Sequence, residues 1–205
     1  MKHTYIFQKS STPDAPTLLL LHGTGGDERD LLPLARQFPG EWNVLSIRGN
    51  VLENGMPRFF RRISFGVFDE ADITRRADDL AEFILELADK EGFDPERIFA
   101  VGYSNGANIA GALLVQRPGF FAGAVLWRPM QPFQVIEPFT SPRSSRLLLT
   151  TGAMDPTVRQ ADSEKWARLL ADAGYQVSHE VVRAGHELTQ QDIALAVKWL
   201  ETSPE

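Results

Sequence analysis

The chain has 205 residues, 43% hydrophobic and 23% charged, the balance of a folded globular protein and not of a disordered or fibrous one. Its 27 acidic against 21 basic residues give a net charge of −6. The only basic cluster is Arg58-Phe59-Phe60-Arg61-Arg62, which argues against an electrostatic nucleic-acid binder, and the absence of cysteine removes disulfides, thiolate metal sites and a cysteine nucleophile.

The length suits one domain spanning 1–205. The first residues lack the apolar run of a secretory signal, and no apolar stretch approaches the ~20 residues that cross a bilayer. The expectation is a soluble cytoplasmic protein with no membrane partner. Strands are predicted at Thr4–Gln8, Thr17–His22 and Asn43–Ile47. A segment from Arg48 to Asp69 follows, without clear period and rich in aromatics and arginines. Asp72–Glu91 then carries Ile73, Ala77, Leu80, Ile84 and Leu87 on one helical stripe. Strand Ile98–Tyr103 leads into helix Asn105–Gln116, and strand Ala122–Leu126 into a proline-rich segment, Arg128–Ser145. Strand Leu147–Thr151, helix Thr157–Ala173, strand Gln176–Val182 and helix Leu188–Leu200 complete the alternation. Short apolar strands alternating with helices predict a parallel sheet covered by helices.

Gly102-Tyr103-Ser104-Asn105-Gly106 matches the G-x-S-x-G nucleophile elbow, a strand-to-helix turn whose flanking glycines leave room for tight packing. The alternative is a serine that only caps a helix. On this architecture the triad runs serine, acid, histidine along the chain, which permits elimination. His179 sits inside a strand pattern and reads as structural, leaving His186 in the loop beyond it. Asp162 and Asp172 fall in a helix as surface charges. Asp155 instead follows a strand at its carboxyl end, where open α/β sheets place their sites, with helix capping as its other reading. His22-Gly23-Thr24-Gly25-Gly26 after the second strand supplies an oxyanion loop. The donors are assigned to the amides of Thr24, with Gly25 as substitute, and of Asn105. A phosphate loop would need a lysine that this loop lacks. Phe59, Phe60, Trp127, Met130 and Gly25 are the candidate substrate contacts, the aromatics having sheet-edge packing as their alternative. Arg58, Arg61 and Arg62 are expected to face solvent, with contact to an acidic substrate as their alternative. The chemistry these residues imply is two-step acyl transfer through the serine, expected on a small-molecule ester and requiring no metal or organic cofactor.

Leu21–Glu28, the elbow, Gly152-Ala153-Met154-Asp155-Pro156 and Gly185-His186-Glu187-Leu188 together resemble the α/β-hydrolase superfamily. The likeness is to its compact carboxylesterase/phospholipase branch, which includes acyl-protein thioesterase-like enzymes. Arg48-Gly49-Asn50 through Gly55–Phe60 further resembles the bacterial subgroup of hydroquinone-resistance hydrolases. The resemblance implies an α/β-hydrolase fold: a mostly parallel twisted sheet of about seven strands, helices on both faces and no large cap domain. It implies a serine carboxylesterase acting on short-acyl or aromatic esters. Thioesterase, amidase or perhydrolase chemistry on the same triad, or a non-catalytic receptor of the same fold, stays open. Dienelactone hydrolases use a cysteine nucleophile and haloalkane dehalogenases an aspartate, neither of which stands at position 104. A homodimer is one assembly the resemblance allows, with no interface legible in the sequence.

Overall fold

The computed structural model describes residues 3–64 and 66–201. The chain begins with β1 (Tyr5–Gln8), β2 (Thr17–Leu21), the short helix α1 (Leu32–Ala35) and β3 (Asn43–Ile47). Two hairpins follow, β4 (Val51–Glu53) with β5 (Met56–Arg58) and β6 (Arg62–Ser64) with β7 (Val67–Phe68). Then come α2 (Glu70–Glu91), β8 (Ile98–Tyr103), α3 (Asn105–Gln116), β9 (Gly123–Trp127), β10 (Arg146–Gly152), α4 (Gln160–Asp172), β11 (Gln176–Val182) and α5 (Gln190–Glu201).

Seven strands form one sheet in the order β1-β3-β2-β8-β9-β10-β11. Edge strand β1 pairs antiparallel with β3, and every other pair is parallel. The alternation of side chains along each strand explains why these strands read as unbroken apolar runs. Leu19 and Leu21 of β2, with Leu147 and Leu149 of β10, face α2, α3 and α4. Leu18, Leu20 and Leu148 face the opposite layer, built from α1 and α5. Both faces are covered, and after Thr17 every residue of β2, Leu18 to Leu21, is apolar and buried. The predicted stripe of α2 is buried as a whole, each Leu or Ile contributing about 1.5–3 kcal/mol relative to exposure. Asp69 caps its start by accepting from the Asp72 amide at 3.0 Å, and Gly92, at φ 71°, ends it. Among the described residues no helix is long and apolar enough to cross a membrane.

Two features depart from the sequence-based expectation. The stretch after β3 is not structureless: it folds into the two small hairpins, too short to show a period. The last two helices also begin later than predicted, at Gln160 and Gln190, because the residues before them form the turns that carry Asp155 and His186.

Candidate active site

β3 lies on one side of β2 and β8 on the other, so the strand order reverses at β2. Ligand crevices of open α/β sheets form outside the strand carboxyl ends at such a point. The loops leaving β2, β8, β10 and β11 there carry Thr24, Ser104, Asp155 and His186.

Ser104 sits between β8 and α3 with φ 50° and ψ −110°, a conformation costing of order 1–3 kcal/mol for a residue with a side chain. Its surroundings hold it there. The Ser104 amide donates to the Trp127 carbonyl at 2.9 Å, and its carbonyl accepts from the Asn108 amide at 2.9 Å. Both elbow glycines are forced by space. A Cβ on Gly102 would stand 2.7 Å from the Ala107 nitrogen, and one on Gly106 would run into the Leu21 carbonyl.

His186 bridges the other two residues. Its Nε2 lies 2.8 Å from Ser104 Oγ and its Nδ1 2.8 Å from Asp155 Oδ2. An ionised carboxylate only accepts, so Nδ1 carries the proton and Nε2 is left to accept from the serine hydroxyl. The Asp155 side chain is fully buried, while that of His186 keeps 26% of its surface open toward a substrate. Asp155 also caps the turn before α4: its Oδ1 accepts from the amides of Thr157 and Val158 at 2.7 and 3.0 Å. The two readings of this residue from sequence therefore coexist on its two oxygens. His179 instead sits in the middle of edge strand β11 with Nε2 2.8 Å from Thr151 Oγ1, and Asp162 pairs with the exposed Arg159.

Beside the serine, the amides of Thr24 and Asn105 have no hydrogen-bond partner among the described residues. Gly25 does not qualify as the substitute donor, because its N–H is already given to the Pro57 carbonyl at 2.9 Å. Three of the expected substrate contacts need correcting as well. Phe59, Phe60 and Trp127 are at most 1% exposed and have no surface to offer. Phe59 packs on the His22 ring at 4.9 Å, Phe60 stands edge-on to Phe68 at 5.1 Å, and Trp127 fills the layer beneath β9 near Phe38. Met130, partly exposed beyond β9 with its amide held by Asn108 Oδ1 at 2.7 Å, keeps a place at the rim. Met56, 40% exposed, joins it there, because its sulfur packs beside Gly25.

Arg58 was expected in solvent but is 3% exposed. Its Nη1 donates to Thr24 Oγ1 at 2.6 Å, and Nε pairs with Glu53 at 3.2 Å. The next residue donates its amide to Asn105 Oδ1 at 2.7 Å. Pro57, Arg58 and Phe59 thus brace the oxyanion loop and the elbow at once. His22 closes this arrangement from the other side: Nε2 accepts from the Gly49 amide at 2.9 Å, and Nδ1 stands 2.6 Å from the Gly23 carbonyl. Burial holds its pKa below 6.5, which keeps Nε2 free to accept. A basic run and a lone histidine at a strand end gave no sequence signal for these roles.

Among the described residues no group of three or more His, Asp or Glu side chains is arranged to hold a metal ion. A groove of about 790 Å³ opens at the opposite, amino-terminal edge of the sheet beside Trp42, Phe99 and Arg97, and none of the triad lines it.

Comparison with known proteins places the chain in one group. The chain is 44% identical over 199 residues to MhqD of Bacillus subtilis (strain 168), covering 97% of each protein. The Bacillus cereus carboxylesterase structure superposes with a TM-score of 0.95 at 44% identity, over 98% of this chain and 95% of that one. The Mesorhizobium loti carboxylesterase gives 0.85 at 32% identity, over 91% and 88%. The phospholipase/carboxylesterase family model matches residues 2–203. With its seven-stranded sheet and elbow, the chain belongs to the phospholipase/carboxylesterase family and is a hydrolase of the α/β-hydrolase fold.

Proposed function

We propose that the protein is a serine esterase that cleaves small esters through an acyl-enzyme on Ser104. The observation that carries this reading is the unbroken relay from Ser104 Oγ through His186 to Asp155, with 2.8 Å at each step, beside two unpartnered amides. His186 Nε2 takes the serine proton as Oγ bonds to the acyl carbon. Asp155 keeps the imidazole in the tautomer that can do so and stabilises its charged form. The carbonyl oxygen, now negative, is held by the amides of Thr24 and Asn105; losing one such donor typically costs about 3–4 kcal/mol of barrier. The tetrahedral intermediate collapses, His186 returns its proton to the leaving alkoxide, and the alcohol departs. Water then attacks the acyl carbon with the same histidine as base, and breaking the bond to Oγ frees the acid.

Substrate size follows from what surrounds the serine. The two hairpins between β3 and α2 are the insertion on this side, and Met56, Met130 and Met154, the last directly before Asp155, are exposed or partly exposed. Flexible thioethers near the serine suit short acyl chains and aromatic alcohols of varied shape.

The test is turnover of p-nitrophenyl acetate and butyrate by wild type, Ser104→Ala, His186→Ala and Asp155→Asn. The three variants should each lose 10³-fold or more in kcat, on the order seen when a triad member is removed. Mass spectrometry after a fluorophosphonate probe should place its adduct on Ser104. Wild-type rates in Ser104→Ala, or an adduct elsewhere, refute the esterase reading.

A further inference from the structure

Three consecutive carbonyls around His186 are each held by a side chain. Arg128 Nε donates to Gly185 at 3.1 Å, the Tyr103 hydroxyl to His186 at 3.1 Å, and Arg128 Nη2 to Glu187 at 2.9 Å. The rest of the Arg128 fork is equally committed. Nη1 reaches Asp192 Oδ1 at 2.7 Å and Thr150 Oγ1 at 2.8 Å, and Nη2 reaches Asp192 Oδ2 at 2.9 Å. All five N–H groups of the guanidinium are accounted for.

Both members of the Arg128–Asp192 pair are fully buried. A buried ion pair is weak evidence of stability, since apolar residues of similar volume often serve as well. What this one does that apolar residues cannot is aim donors at the two carbonyls flanking a histidine. Its own anchorage reaches the rest of the site. The Arg128 amide donates to Thr150 on β10, the strand that leads to Asp155, and the preceding Trp127 carbonyl accepts from Ser104. Asp192 takes the amide and hydroxyl of Thr189 at 2.9 and 2.8 Å, fixing the start of α5 just beyond the histidine loop. Arg128 has φ 56°, a left-handed conformation that residues with side chains rarely adopt and that marks a position held by its surroundings.

We infer that Arg128, backed by Asp192 and joined by Tyr103, is the positioning residue for His186: it fixes the backbone of residues 185–187 so that the imidazole spans Ser104 and Asp155. This rests on the reading of His186 as the base. Arg128→Lys keeps the charge but loses the planar fork. In that variant kcat per serine titrated by fluorophosphonate should fall about 10–100-fold with KM within about twofold, the cost of a small displacement of a reacting group. The low-field proton resonance of His186 Nδ1–H, assigned by its absence in His186→Ala, should broaden or shift. Tyr103→Phe should lower kcat about 5–10-fold, the size of one lost hydrogen bond, and its effect should be less than additive with Arg128→Lys. If Arg128→Lys does not fold, Tyr103→Phe decides on the same measurements. A lowered melting temperature with unchanged kcat per titrated serine and an unmoved resonance overturns the positioning role while leaving the triad intact. Wild-type turnover in His186→Ala overturns both.

Discussion

At the scale of single residues, the site is bounded by places where no atom can be added. Gly106 opens the first turn of α3 against the end of β2, and a methyl group there runs into the Leu21 carbonyl. Backbone on one side and the strained serine on the other leave nothing that can yield. Gly111, one and a half turns along the same helix, is different: its added Cβ would meet only Trp166 and Pro132 side chains at 3.4 and 3.9 Å. The same substitution should therefore have opposite signs at the two positions. Gly106→Ala should destabilise by about 1–3 kcal/mol, as overpacking does, and slow fluorophosphonate labelling of Ser104. Gly111→Ala should stabilise by about 0.5–1 kcal/mol, as removal of a mid-helix glycine does, with activity retained. Urea unfolding of both variants measures this, and a stable, normally labelled Gly106→Ala would remove the case for a space-limited elbow.

At the scale of elements, the hairpin β4–β5 couples the two halves of the proposed oxyanion site. Its last strand and the residue after it deliver the Pro57 carbonyl to Gly25, the Arg58 guanidinium to Thr24 and the Phe59 amide to Asn105. Thr24→Val removes only the hydroxyl that Arg58 holds, while Arg58→Met removes the guanidinium and keeps most of the bulk. If the hairpin sets the Thr24 amide through this contact, either change should lower kcat/KM about 10-fold or more, and the pair should be non-additive by 0.5–3 kcal/mol. Additive effects in the four-variant cycle would show the contact to be incidental. That Ser104, Asp155 and His186 come together was legible in the sequence because each combines a local turn signal with a place in a fixed chain order. The hairpin was not, because strands of three residues are too short to show alternation. A signal was nevertheless present: Asn54-Gly55, with φ 52° and 79°, is the dipeptide of a two-residue hairpin turn. Arg58, Phe59, Phe60 and Trp127 were misplaced for a related reason. Charge and aromaticity suggest solvent or substrate, and only the path of the backbone buries them.

At the scale of the whole molecule, acid should weaken the fold in two stages. His3, His22 and His179 all have pKa values below 6.5, burial being the largest cause for each. Above pH 6.5 the folded and unfolded chains both carry these rings neutral, and the stability they allow is fully present. Below it the unfolded chain takes up protons that the native one refuses, so stability falls with pH until the lowered native values are passed. Each histidine contributes a slope of at most about 1.4 kcal/mol per pH unit. Asp192 acts lower. Burial alone would raise its pKa, but hydrogen bonds from Arg128, Thr150 and Thr189 outweigh that and hold it below 3.8. Its contribution is intact above the ordinary carboxylate range and is lost only as pH falls through the depressed native value. Urea midpoints measured from pH 8 to pH 3 should therefore be level down to about 6.5, decline below it, and steepen again below about 4. His179→Gln, which keeps a polar partner for Thr151, should make the first decline shallower, with His3 and His22 still contributing, and leave the second untouched. A midpoint that stays constant from pH 7 to 5 in the wild-type protein would mean that these rings take up protons as readily in the native state as in the unfolded one, against the burial of His3 and His22 and the Gly49 amide that His22 Nε2 accepts.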